Sequence, residues 1–129
     1  LKGMVDTLWL AGRTQQPLQL AETLWQREEA YSTGLGHGIA IPHAKTDAIE
    51  HSAISIARLT HPVDWGSLDG QPVDLVIMLT LNAQQGADEH LRIFSRLARR
   101  MMYDEFRQQL RQAPTAAALC ALLQQELEM

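Results

Sequence analysis

At 129 residues and 46% hydrophobic composition, the chain is long enough to bury one sizeable core and reads as a single globular domain over residues 1–129. The 15 acidic and 11 basic residues leave a net charge of −4, which argues against a general nucleic-acid binder or a membrane-surface protein and favours a protein partner or a small anion. One cysteine, Cys120, excludes an internal disulfide. No apolar run approaches the roughly 20 residues of a membrane span or the form of a signal peptide, so a cytoplasmic location is expected.

Leu1, Met4, Val5, Leu8 and Trp9 recur at helical spacing, and Gly12 falls where a C-terminal cap belongs. A chain that opens inside a helix reads as a domain excised from a longer protein and incomplete at its N-terminus. Pro17 at a first helical position, followed by Leu20, Leu24 and Tyr31, predicts a second helix, with Arg27 on or beside its buried face. Gly34, Gly36 and Gly38 then alternate, and their missing Cβ atoms suit a loop whose N–H groups approach an anion. Ile39 to Ile41 follows as a short buried strand that Pro42 ends, presenting His43 at a strand end.

Ala53 to Leu59 predicts another strand, both faces covered, and Thr60 to Gln71 a turn-rich loop with Trp65 folded back on the sheet. Val73 to Leu81 is apolar on both faces and should be the central strand. From Ala87 the period turns helical, with His90, Ile93, Phe94, Leu97, Ala98 and Met101 on one face and Arg92, Arg96, Arg99 and Arg100 on a solvated one. Asp104 is placed to cap a short helix, and Pro114-Thr115 opens a last one in which Cys120 is a small core residue. These elements predict an α/β three-layer sandwich, a small mixed sheet flanked by helices.

On local chemistry, His43 beside a glycine loop suits an acceptor of a phosphoryl group, against the alternative of a histidine that merely satisfies a turn. His90 in the first turn of an amphipathic helix is as readily a half-buried core residue. Thr33 reads equally as a hydroxyl donor to an anion or as a simple turn residue, and Arg27 alone as a solvated helix residue. His37, His51 and His61 read as structural or solvated. The histidine spacing supports no zinc site, and the glycine pattern matches neither a dinucleotide fingerprint nor a P-loop.

The string Arg27-Glu28, Ser32-Thr33-Gly34 and Gly38-Ile39-Ala40-Ile41-Pro42-His43-Ala44 resembles the active-site signature of the fructose/mannitol-type enzyme IIA domains of the bacterial phosphoenolpyruvate-dependent sugar phosphotransferase system. Pro62-Val63-Asp64-Trp65, Gly70-Gln71-Pro72-Val73 and His90-Leu91 fall where similar strings fall in that family, whose members carry a leading strand before the point where this chain begins. The resemblance implies a phosphocarrier. His43 takes a phosphoryl group on Nε2 from the phosphohistidine of HPr or an HPr-like domain and passes it to a cysteine of a fructose-type enzyme IIB, which is not Cys120. Arg27 and a second histidine, His90, stabilise the phosphoryl group, with Thr33, Gly34, Gly36 and Gly38 as the loop around it. It implies no metal, no cofactor and no nucleic acid, and a membrane reached only indirectly through enzyme IIC. The same resemblance leaves open a regulatory enzyme IIA, of the nitrogen type or attached to a transcription regulator, in which phosphorylation signals state; an anion-binding domain without transfer is a third reading.

Overall fold

The computed structural model describes residues 3–5, 10, 14–30, 32–49, 53–67, 69–84 and 87–127. They fall into two compact units, residues 1–85 and 86–129. In the first unit Gly3, Met4 and Val5 are helical, as expected, while Leu1, Leu8, Trp9 and Gly12 lie outside the described residues. Helix α1 (Pro17–Ala30) starts on its proline, which needs no amide partner in the first turn; Tyr31 lies outside the described residues. Just before it, Thr14 accepts from the Gln16 amide at 3.1 Å and donates its hydroxyl to the Ala48 carbonyl, tying the helix start to the sheet. Leu20 and Leu24, one turn apart, are fully buried in a cluster with Val5, Ala44, Ala48, Ile49 and Met78. Each such aliphatic side chain contributes about 1.5–3 kcal/mol on burial.

The sheet has five strands: β1 (Gly34–Gly36), β2 (Ile39–Ala40), β3 (His43–Thr46), β4 (Ala53–Val63) and β5 (Val73–Asn82). Strand β5 is central, and Val73 and residues 75–80 are buried. On one edge it pairs in parallel first with β2, Ile39 opposite Leu75, and then with β3, His43 opposite Leu79. On the other it pairs antiparallel with β4, Ala53 opposite Thr80 and Val63 opposite Val73. The α/β class with a small mixed sheet is therefore the one expected.

Three expectations about the strands change. Pro42 lacks an N–H and interrupts the ladder, but its carbonyl accepts from the Leu79 amide at 2.9 Å. The chain therefore resumes pairing at once, and His43 begins a strand instead of following one. Strand β4 runs on through Pro62 to Val63, taking the first residues of the expected loop. Its faces are not both covered, since Ile54 is 39% and Val63 46% exposed.

The second unit is helical: α2 (Ala87–Met101), α3 (Asp104–Gln112) and α4 (Ala116–Leu127). Leu97, Met101, Phe106, Leu110, Leu119 and Leu123 are buried. Arg92, Arg96 and Arg99 are exposed as expected, but Arg100 is half-buried, its guanidinium 5.4 Å from the Tyr103 ring centroid and 5.2 Å from that of Phe106. Cation–π attraction thus removes it from the solvated stripe. Asp104 makes no capping bond; the cap position is Tyr103, and Asp104 instead pairs with buried Arg107 at 3.5 Å. Thr115 does cap α4, accepting from the Ala118 amide at 3.1 Å. Cys120 is exposed and not a core residue, because the buried positions of α4 are its neighbours Leu119 and Leu123.

Candidate active site

The buried stripe of α1 runs Leu20, Leu24 and then Arg27, the basic residue of the last turn, where a positive charge suits the helix dipole. Half-buried Arg27 brings its Nε to 3.2 Å from Nε2 of His43. The other ring nitrogen of His43, Nδ1, lies 2.9 Å from the carbonyl oxygen of Ile41. These two contacts select a tautomer. A carbonyl only accepts and a guanidinium N–H only donates, so neutral His43 carries its proton on Nδ1 and keeps a lone pair on Nε2. The break at Ile41-Pro42 makes this possible, because it turns the Ile41 carbonyl to the ring of a residue two positions on.

The glycine stretch is organised differently from the expected cradle. Strands β1 and β2 form a hairpin closed by His37 and Gly38, with φ of 57° and 77°, the two positive values that a type I′ turn demands. Gly36, at φ 94°, lies against the Asp69 carboxylate, and one residue bulges out of β1 at Leu35. Gly38 accepts from the amides of Asp74 and Leu75, whereas His43 sits beside Leu79. The turn is thus four residues along the sheet from the imidazole, roughly 13 Å at about 3.3 Å per residue. Three amides of this stretch are already bonded within the chain: Thr33 N–H to Glu28, Gly34 N–H to Ser32 and His37 N–H to Asp69. Amides of Gln71 and His37 hold the Asp69 carboxyl below its ordinary value of 3.8, with the nearby His37 charge a smaller cause. Gly34 is buried against Ser67.

A second cluster adjoins Arg27. The Glu28 carboxylate accepts from the Thr33 amide at 3.1 Å, from the Thr33 hydroxyl, and from the Trp65 indole N–H at 3.2 Å. The Thr33 hydroxyl is thus directed at Glu28. Neither Glu28 nor Trp65 stands out in the sequence as a site residue; the only signals are their places in the strings that carry the resemblance. A cavity of about 730 Å³ opens beside this cluster, lined by Trp25, Glu28, Glu29, Ser32 and Trp65 among others, but not by His43 or Arg27. His90 falls at the fourth residue of α2, and its side chain lies outside what is described. His37 and His61 are exposed, and His51 lies outside the described residues. Among the described residues no group of His, Cys, Asp and Glu is arranged to hold a metal ion.

The family model for the phosphoenolpyruvate-dependent sugar phosphotransferase system, EIIA 2, matches residues 1–126. Multiphosphoryl transfer protein 2 of Escherichia coli (strain K12) is 54% identical over 129 residues, which are all of this chain and 15% of that protein. The fructose-specific EIIA component of Haloferax volcanii is 34% identical, over 97% of this chain and 80% of that one. Among solved structures, the nitrogen regulatory protein IIA-Ntr of Neisseria meningitidis has a TM-score of 0.77 at 32% identity, covering 83% of this chain and 73% of that one. The IIA mannitol enzyme of Escherichia coli, solved in complex with phosphorylated IIB, has the same fold at 18% identity, with a TM-score of 0.74 over 95% of this chain and 83% of that one. The chain spans 15% of the length of the multiphosphoryl transfer protein, yet all but its last three residues fall within the one family model. With the Arg27–His43 pair on a mixed α/β sheet, this chain belongs to the EIIA 2 family of the phosphoenolpyruvate-dependent sugar phosphotransferase system.

Proposed function

We propose that this domain is a phosphocarrier that works through a phosphohistidine on Nε2 of His43. The observation that carries the reading is the pair of hydrogen bonds at the imidazole. Nδ1–H is held by the Ile41 carbonyl, which leaves the nucleophilic lone pair on Nε2 beside a guanidinium. In the transfer, that lone pair attacks phosphorus in line. The N–P bond of the donor phosphohistidine breaks, and its electron pair returns to the donor ring. The Arg27 N–H that had capped Nε2 is displaced to the incoming phosphoryl oxygens, where a planar cation with several donors stabilises spread negative charge. In the onward step a cysteine thiolate attacks the same phosphorus and the N–P bond to His43 breaks, restoring the neutral ring.

The donor is taken to be HPr or an HPr-like domain, and the acceptor the cysteine of a fructose-type enzyme IIB, in the cytoplasm. A similar IIA domain has been solved with phosphorylated IIB, which supports the second assignment. His90 is assigned, by the family resemblance, as the second histidine that steadies the phosphoryl group. Of the expected loop, we retain none as a phosphoryl ligand: Thr33 faces Glu28, Gly34 is packed on Ser67, and Gly36 and Gly38 shape the hairpin. A regulatory use of the same chemistry is the second reading and the less favoured one, since the nitrogen regulatory protein is 32% identical against 54% for a multiphosphoryl transfer protein.

Incubation with phosphoenolpyruvate, enzyme I and HPr should add one phosphoryl group, labile in acid and stable in base. His43→Ala should abolish it; labelling of that variant would sink the assignment. Subsequent addition of a fructose-type IIB separates carrier from regulator, since only a carrier discharges rapidly onto it.

A further inference from the structure

The Glu28 cluster has no part in the transfer as written, yet it binds three separate stretches of chain. Two carboxylate oxygens take three donors from Thr33 and Trp65. Trp65 is itself anchored, its ring packed with Ala40, Val73 and Val76 and its carbonyl accepting from the Ser32 hydroxyl at 2.8 Å. Thr33 is anchored as well, because its carbonyl accepts from the Ile41 amide at 3.1 Å. Ile41 is the residue whose own carbonyl holds Nδ1 of His43. One carboxylate therefore fixes the last turn of α1, which carries Arg27, to the segment that carries the Ile41 carbonyl. Both hydrogen bonds that orient the imidazole come from elements that Glu28 ties together.

We propose that Glu28 is a positioning residue for phosphoryl transfer, acting through Arg27: it holds the guanidinium in register with Nε2 of His43 and touches no reacting atom itself. The proposal rests on the reading of His43 as the phosphoryl acceptor. Helix ends fray when their last turn is unanchored, and the long arginine side chain then samples positions from which Nε no longer reaches the ring. A misplacement of about 1 Å at a reacting centre is enough to cost roughly a hundredfold in rate.

The test is a double-mutant cycle read together with nitrogen NMR of the His43 ring in the unphosphorylated domain. Glu28→Ala should slow single-turnover transfer from phospho-HPr by about ten- to a hundredfold. In the Arg27→Ala background the same change should slow it no further, because the group it positions is gone. A merely structural glutamate would instead multiply the two losses, which overturns the proposal. The Nε2 resonance of His43 should move in Glu28→Ala toward its position in Arg27→Ala; an unmoved resonance also overturns it. Trp65→Phe removes one donor but keeps the ring packing, and should shift Nε2 the same way by less, so the NMR arm stands even if Glu28→Ala does not fold. A wild-type domain that takes no phosphoryl group would defeat the reading of His43, while the NMR arm would still decide the clamp.

Discussion

Gly34→Ala is the sharpest perturbation available at the strand that precedes the site. A Cβ built there would lie 2.1 Å from Oγ of Ser67, 2.9 Å from its Cβ and 3.1 Å from its Cα. The first two contacts are with a short side chain and the third is with backbone, so relief requires the chain around Ser67 to move. Overpacking of this kind costs about 1–3 kcal/mol. For a chain of this length that is a melting-temperature loss of between about 3 and 15 °C. Ser67 is two residues beyond Trp65, so the displacement also reaches the donors of Glu28. The assay is thermal unfolding by circular dichroism on wild type, Gly34→Ala and Gly34→Ala with Ser67→Gly. The double variant removes the two shortest contacts and should recover most of the loss. A single variant that melts within a degree of wild type would refute the packing argument. One that melts normally but binds phosphoryl groups poorly would return Gly34 to the role of anion ligand.

Among the other consequences, His90→Ala should leave the melting temperature close to wild type while slowing single-turnover transfer roughly ten- to a hundredfold. That range corresponds to losing one hydrogen bond to a charged group, about 1.5–3 kcal/mol; normal transfer with early melting would make His90 structural. Because its folded-state value is depressed, Asp69 contributes stability to the hairpin that is present above pH 3.8 and is lost as pH falls through the lower folded value. The His37 and Gln71 amide resonances should therefore titrate below pH 3.8 in wild type and stay flat in Asp69→Asn. Charge reversal at exposed Arg96 and Arg99 should change HPr-dependent phosphorylation only modestly at physiological salt, where exposed charges are screened over about 8 Å. A large loss restored by the opposite change on HPr would make that face the interface.

Strong periodicity was readable: Leu20 and Leu24 on α1, the apolar run of β5 and the amphipathic α2 all carry their structure in their spacing. Strand β3 was not, because His43-Ala44-Lys45-Thr46 shows no run of apolar residues and owes its conformation to partners on β5 far along the chain. The glycine stretch is ambiguous for a related reason. Freedom to take positive φ serves a tight hairpin turn as well as an anion cradle, and only the Asp69 contacts and the pairing register separate the two. His43 and Arg27 were legible through a signature string, and their contact follows from α1 lying over Ala44 and Ala48. Glu28 was invisible as a clamp because its partners, Thr33 and Trp65, come from separate segments, and burial of a carboxylate's partners leaves no periodic trace.

The division of β5's edge between β2 and β3 also bears on the order in which the protein assembles. Strands β4 and β5 are joined directly, and Val63 opposite Val73 closes a short loop from which the antiparallel ladder can zip. The parallel pairing that seats His43 beside Leu79 must close a far longer one, and entropy makes such contacts late. The reactive imidazole is therefore expected to find its place only after a β4–β5 ribbon and part of its apolar face already exist. Pulse-labelling hydrogen exchange during refolding reports this order directly: protection at the Ser55 and Met78 amides, which face each other across the β4–β5 ladder, ahead of protection at the Leu79 amide, which bonds to Pro42. Simultaneous protection would place the parallel pairing in the nucleus instead. If the seat forms late, the same pairing is expected to open early in the native state, and transient exposure of His43 would then accompany fluctuations smaller than global unfolding.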